Sequence, residues 1–369
     1  MLVAGGAGIF LIFRLLFLMP GVVETVYSSG LAPLLTRPLS LLIGLLPFSV
    51  GEVVVLVYVT WLLVSFARTV SEVRQKRRQV SNAAMSGGLR LARHAGMITI
   101  LFYVLWGFNY ARPPLAARLH WPEWSPPPIE DLSAAAADAV DAANRAYWDI
   151  HQSEDAGEPT PMPDDLSKLD KALEVGWSRT TRLLGLPAAT GKRYGRTKRL
   201  LLTPLVARFG IAGFYFPWTG EANVLWHSPA IDRPQSMAHE KAHQRGTGPE
   251  SEASFLGFLA AAQAPHAHAR YAAYVFAQTQ LLGILARADR GAARDIASRR
   301  YAGIRRDLED RTAYWRKYRG LGTSIGRAVN NRFLRTNRVE GGTLSYARSV
   351  RLILAFARQN DGKVVPAGY

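Results

Sequence analysis

Two histidines four residues apart, His239 and His243, with Glu240 directly after the first, are the side chains of this 369-residue chain best suited to chemistry. On a helix that spacing puts both imidazoles on one face, about a turn apart, where both reach one ion. Glu240 then sits beside any water held by the same ion. The pattern HExxH is the two-histidine half of a zinc-hydrolase site, and a satisfied core helix is the bland alternative.

A catalytic zinc takes three protein ligands and keeps one position open. The chain contains no cysteine, so thiolate sites and thiol catalysis are excluded, and the third ligand must be His, Asp or Glu. Gly246 permits a sharp reversal, and Gly248-Pro249 suits entry into a second helix headed by Glu250 and Glu252. Either acid can close the set. Glu250 is preferred because it heads an E-x-x-A-S pattern with Ala253 and Ser254. That pattern resembles the E-x-x-A-D of membrane zinc peptidases of the gluzincin group, whose first Glu binds metal. Ser254 stands where that group carries Asp, so the orienting carboxylate is missing. Glu252 is then a helix N-terminal or outer charge. An oxyanion donor is also needed, and Tyr346 is one candidate.

Competing chemistry is weak. His266 and His268 form an H-x-H pair without a carboxylate partner, and His227 reads as a strand-end residue. No phosphate-binding glycine loop, dinucleotide fingerprint or nucleophile elbow appears. The net charge of +17 invites a nucleic-acid reading, but the charge is modular. Residues 1–112 carry 10 basic and 3 acidic side chains, residues 113–174 carry 4 and 13, and residues 175–369 carry 31 and 12. The Arg-rich stretch from Arg299 reads as a solvated face or one lying near anionic headgroups, and no nucleic-acid partner is expected.

The elements that must position the site begin with a membrane domain over residues 1–112. Apolar runs over about 2–23, 49–67 and 92–110 are each near the ~20 residues a helix needs to cross a bilayer. Arg14 in the first run is expected to face Glu24 or Glu52. The loop 68–93 holds seven Lys/Arg against Glu72, which places it in the cytoplasm and everything after the third run outside. A Pro-rich interfacial linker, 113–132, carries Trp121 and Trp124 at headgroup level. A mostly helical domain fills 133–369. Within it the 191–199 cluster reads as an exposed basic loop, and residues 199–207 and 213–226 have strand content. The latter segment, with Glu221 and Asn223 alternating, stands where zinc peptidases keep the edge strand that pairs with substrate.

Taken together, the segments VETVYSSGLAPLLTRPLSLLIGLLPFSVGE (23–52), WGFNYARPPL (106–115), the TGE at 219–221, AHEKAHQRG (238–246), ESEASFLGFL (250–259) and NRFLRTN…GGTLSYARSVRLIL (331–354) resemble the bacterial membrane proteins of domain-of-unknown-function family 3810 (DUF3810) nearly end to end. The resemblance implies three transmembrane helices and an extracytoplasmic zincin-like domain. The expected fold is therefore a mainly α integral membrane protein with a gluzincin-type domain and a small strand element. The expected function is a multi-pass metallopeptidase of the bacterial inner or plasma membrane, with Zn2+ on His239, His243 and Glu250 and with Glu240 as general base. Its partners are the lipid bilayer and a peptide or protein substrate. The alternative is a non-catalytic membrane protein with a structural metal site or a cell-envelope sensing role.

Overall fold

Long apolar runs without breakers become the helices at the front of the chain. The computed structural model describes residues 1–163, 165–337 and 348–366. It opens with α1 (Leu2–Leu16) and, through a π-helical stretch at Val23–Leu31, α2 (Ala32–Gly44). Then come α3 (Val50–Arg74) and α4 (Val80–Leu105). Both α3 and α4 are long and apolar enough to cross a membrane, and Leu2–Leu16 with Pro20–Gly44, bent by 107°, forms a third candidate span.

The first span differs from the continuous helix expected over 2–23. Pro20 lacks an N–H and restricts Met19, so the helix stops at Leu16 and restarts in a new direction. Much of the expected loop 68–93 is also helical, because α3 and α4 run on past their apolar parts and only a short basic turn joins them. Arg14 pairs with neither expected acid. It lies in the last turn of α1, where the helix dipole favours a cation. Glu24 instead binds Arg112 at 2.6 Å, and Glu52 accepts the backbone N–H groups of Leu201 and Leu202. Helices α1 and α4 approach closely through small residues, since a Cβ on Gly6 would lie 2.7 Å from Gly96 Cα.

The remainder is helical with a small sheet. Its elements are α5 (Ile129–His151), α6 (Leu166–Leu183), β1 (Lys198–Leu200), α7 (Thr203–Arg208), β2 (Gly213–Phe216), β3 (Glu221–Leu225), α8 (Arg233–Gln244) and α9 (Glu250–Ala262). They are followed by α10 (Ala267–Ala288), α11 (Arg290–Ser298), α12 (Ala302–Arg316), α13 (Leu321–Thr336) and α14 (Ser349–Gln359). The core joins α5, α6, α8, α9, α10 and α14. Helix α9 is apolar on all sides after its first residues, which is why it is central rather than half-exposed. Alanines at 135, 136, 139, 142, 143 and 146 give α5 a flat face that packs on α10.

Three further expectations change. The segment 199–207 is not a strand throughout; after β1 it turns into α7, with Pro204 in the first turn. The sheet order is β1-β3-β2, so Glu221 and Asn223 lie on the central strand and β2 is an edge. The 191–199 cluster is docked rather than a free loop. Lys198 Nζ binds the Ile43 and Leu46 carbonyls, Arg196 binds Leu45 O, and Gly195 N donates to Ser40. These basic groups gather on the carbonyls at and just beyond the end of α2. In the Pro-rich segment, Trp121 packs edge-on against Phe255 of α9, and Trp124 lies under the Arg351 guanidinium.

Candidate metal centre

The reversal after α8 brings the candidate ligands together. Gly246 adopts φ +81°, Gly246 N–H donates to His243 O at 3.0 Å, and Thr247 N–H donates to Ala242 O at 3.1 Å. These two bonds form a Schellman ending, which only a residue tolerant of positive φ completes cheaply. The chain then re-enters α9 antiparallel to α8. Gly257 allows the close approach, because a Cβ there would lie 2.9 Å from His239 N.

Three donor atoms converge as a result. His239 Nε2 lies 3.0 Å from Glu250 Oε2, His243 Nε2 lies 3.1 Å from His239 Nε2, and His243 Nε2 lies 3.5 Å from Glu250 Oε2. Donors about 2.0–2.1 Å from one tetrahedral centre would stand about 3.3 Å apart. The spacing therefore fits a divalent ion, and among the described residues these three form the one group of three or more such side chains able to hold one.

The outer ring nitrogens point the same way. His243 Nδ1 meets Thr247 O at 2.7 Å, and a carbonyl only accepts, so Nδ1 carries the hydrogen and Nε2 is left as a bare donor in the neutral ring. Ser254 Oγ lies 3.3 Å from His239 Nδ1 and takes the orienting position for which Asp was missing. Two ring nitrogens and a carboxylate oxygen facing one another call for positive charge between them, which a metal ion or a proton supplies. Without a metal, a proton meets that demand. Burial alone would lower the His243 pKa, but the Glu250 charge and hydrogen bond carry it to about 9. Burial would raise Glu250, yet the two imidazoles hold it well below the usual carboxylate range.

Glu240 is different. It is buried, and its Oε2 has no hydrogen-bond partner. Burial lifts its pKa to about 7, against the pull of His239 and His243, with the Glu250 charge adding to the rise. The backbone N–H of Tyr215 on β2 opposes the rise only slightly. Gly213 leaves room for it, since a Cβ there would lie 3.0 Å from Glu240 Oε1. A carboxyl poised near neutrality can both take up and release a proton.

Glu252 does not join the cluster. It accepts Leu115 N–H at 2.8 Å and Arg118 at 3.1 Å, tying α9 to the segment leaving α4. His266 and His268 have rings 5.5 Å apart and stand apart from the cluster. Tyr346 lies outside the described residues. Sequence reasoning missed Trp106, whose Nε1 donates to His243 O at 2.8 Å, and Arg112, which donates to Gly246 O at 2.9 Å. Both seat the reversal on the end of α4, and the WGFNYAR segment itself offers no chemical signal of this. Glu221 was misplaced on an edge; its carboxylate accepts Val50 and Gly51 N–H at 2.9 and 2.7 Å and caps α3.

The chain belongs to the family described as Protein of unknown function (DUF3810), whose model matches residues 27–354. No curated protein and no solved structure gives a significant match.

Proposed function

We propose that this protein is a membrane-anchored, zinc-dependent metallopeptidase of the zincin type, with its catalytic domain outside the bacterial inner or plasma membrane. The observation that carries the reading is the convergence of His239 Nε2, His243 Nε2 and Glu250 Oε2 within 3.0–3.5 Å of one another. Two imidazoles and a carboxylate are a donor set that suits zinc. Bound there, the ion would acidify a water and polarise a carbonyl oxygen. Glu240 takes the proton from the attacking water on its partnerless Oε2 and passes it to the leaving amine. His243 is held by Thr247 O and His239 by Ser254, which fixes both rings before substrate arrives. The edge of β2 at Gly213–Tyr215 borders the same cavity and offers an extended peptide a pairing partner.

Orientation is supported by where the ends lie. The catalytic unit contacts the Val50 end of α3 and the Trp106 end of α4, while the basic turn joins their opposite ends. A structural or sensory metal site is the rival reading. It gives no role to a buried, unpaired Glu240 carboxylate opening on a large cavity.

The test is metal content and peptide hydrolysis of the purified full chain. Zinc near one per chain, lost in His239→Ala and Glu250→Ala but kept in Glu252→Ala and Glu240→Gln, is the expected pattern. Turnover should vanish in Glu240→Gln. Zinc kept in Glu250→Ala but lost in Glu252→Ala would overturn the ligand set, and function unchanged in Glu240→Gln would favour the non-catalytic reading.

A further inference from the structure

A cavity of about 1160 Å³ begins at His239, Glu240, His243 and Glu250 and ends between residues of the apolar helices. Phe10 of α1 and Ile98, Thr99 and Phe102 of α4 line that far end. A pocket serving only a water-borne peptide has no reason to extend along helices long and apolar enough to cross a membrane.

Helix α13 forms the opposite wall. Its two ends are moored to different parts of the molecule. Near its start, Gly322 fits against α7, where a Cβ would lie 2.7 Å from Arg208 O. Near its end, Phe333 packs against Phe102 and Tyr110 at 5.9 and 6.0 Å, and Tyr103 OH donates to Asn337 at 3.2 Å. Between these moorings Leu321, Ile325, Val329 and Phe333 recur every four residues and are 78, 47, 64 and 40 % exposed, the last three on the open mouth of the cavity, which they also line. Four large apolar side chains in one such stripe are costly in water. The surrounding charge says what covers them. From Arg311 to Asn337 the chain has seven Lys/Arg and no Asp or Glu, and Arg316, Lys317, Arg319, Arg327, Arg332 and Arg335 are all exposed. Apart from Asp232, which pairs with Arg311 at 3.8 Å, the charges beside the stripe are cations, and an apolar stripe with such a border matches hydrocarbon beneath anionic headgroups.

We propose that α13 lies in the membrane interface and that the cavity opens sideways into the bilayer between α13 and α4. Its occupant is a polypeptide carrying an apolar membrane anchor. The anchor fills the end at Phe10 and Ile98, and the adjoining backbone runs past the β2 edge to the cluster. A lipid alone would leave that strand edge and the donor cluster without a role. Cleavage of this occupant rests on the peptidase reading; its seating does not.

Since the chain has no cysteine, Val329→Cys and Arg327→Cys can each carry a single bimane label in the full chain, reconstituted in phosphatidylcholine/phosphatidylglycerol vesicles. Lipids brominated on their acyl tails should quench the label at 329 several-fold more strongly than at 327. Equal quenching would overturn the membrane placement of α13. A palmitoylated decapeptide with a diazirine in its acyl chain should crosslink to segments containing Phe10, Ile98 or Phe333. The yield should fall several-fold in Phe333→Ala, and unacylated decapeptide should not compete. Diazirine-labelled palmitate reacting as well as the peptide would overturn the polypeptide assignment, as would adducts spread evenly over the outer face of α3. Both readings are made in Glu240→Gln, so an inactive protein leaves this test intact and fails only the peptidase reading.

Discussion

Helix α8 buries ionisable side chains on two opposite faces, and the two are treated in opposite ways. On one face Lys241 Nζ meets Glu174 at 2.7 Å and Asp170 at 3.1 Å, while Arg245 meets Glu174 at 2.6 Å and lies 4.7 Å from the Trp177 ring. Every charge there has its counterpart on α6 or in the loop beside it. On the other face two imidazole nitrogens and a carboxylate oxygen point at one another, and Glu240 keeps an unpaired oxygen. Burial is common to both faces, so burial by itself does not mark the site. What separates them is compensation: one face matches each cation with a carboxylate, and the other shares three donor atoms among themselves and leaves a carboxylate oxygen unpaired.

Substitutions on the two faces should therefore break different properties. Glu240→Gln should lower peptide hydrolysis on the order of 10²–10⁴-fold while thermal unfolding barely moves, because it removes a proton acceptor and no charge pair. Steady-state hydrolysis alongside calorimetry checks both halves. Glu174→Ala should do the reverse. It takes away the carboxylate that Arg245 meets in the core and leaves Lys241 with Asp170 alone, which costs about 3–5 kcal/mol, and activity per folded molecule should persist. Denaturant unfolding in detergent measures it, and an unchanged midpoint would erase the distinction between the faces. A smaller effect is expected from Ser254→Ala, which frees the His239 ring and should weaken metal binding about 10–100-fold without loss of the fold. Competition with a chromogenic chelator reads this directly. The mildest change is with pH. His243 keeps a proton up to about 9 in the metal-free protein and must release it to bind an ion. Metal affinity should thus climb with pH, by up to about tenfold per unit, and level off above that value. A flat profile would mean that His243 is not a ligand.

The histidine face was legible in the sequence because its information is local. Four residues separate the histidines and seven separate His243 from Glu250, with Gly246 between them to turn the chain. The choice between Glu250 and Glu252 follows from helix phase once α9 is known to start at Glu250. The compensated face was less legible, since Glu174 and Asp170 reach Lys241 across about 70 residues. The same holds for the docking of Lys198 on the end of α2 and the capping of α3 by Glu221, both across more than 150 residues. A three-strand sheet with strands of three to five residues carries too little alternation to reveal its order, so the central strand looked like an edge. The break at Leu16 was signalled by Pro20, but hydropathy averaged across it.

The hydrogen bond from Trp106 to His243 O has a practical consequence. The last apolar helix reaches the backbone of a candidate ligand, Glu221 grips the first turn of α3, and Lys198 depends on carbonyls of α2. Excising residues 1–112 to obtain a soluble fragment would strip these partners from three places around the cluster at once. The apolar helices are thus part of the scaffold that holds the histidine cluster in register, not a tether from which the rest can be cut.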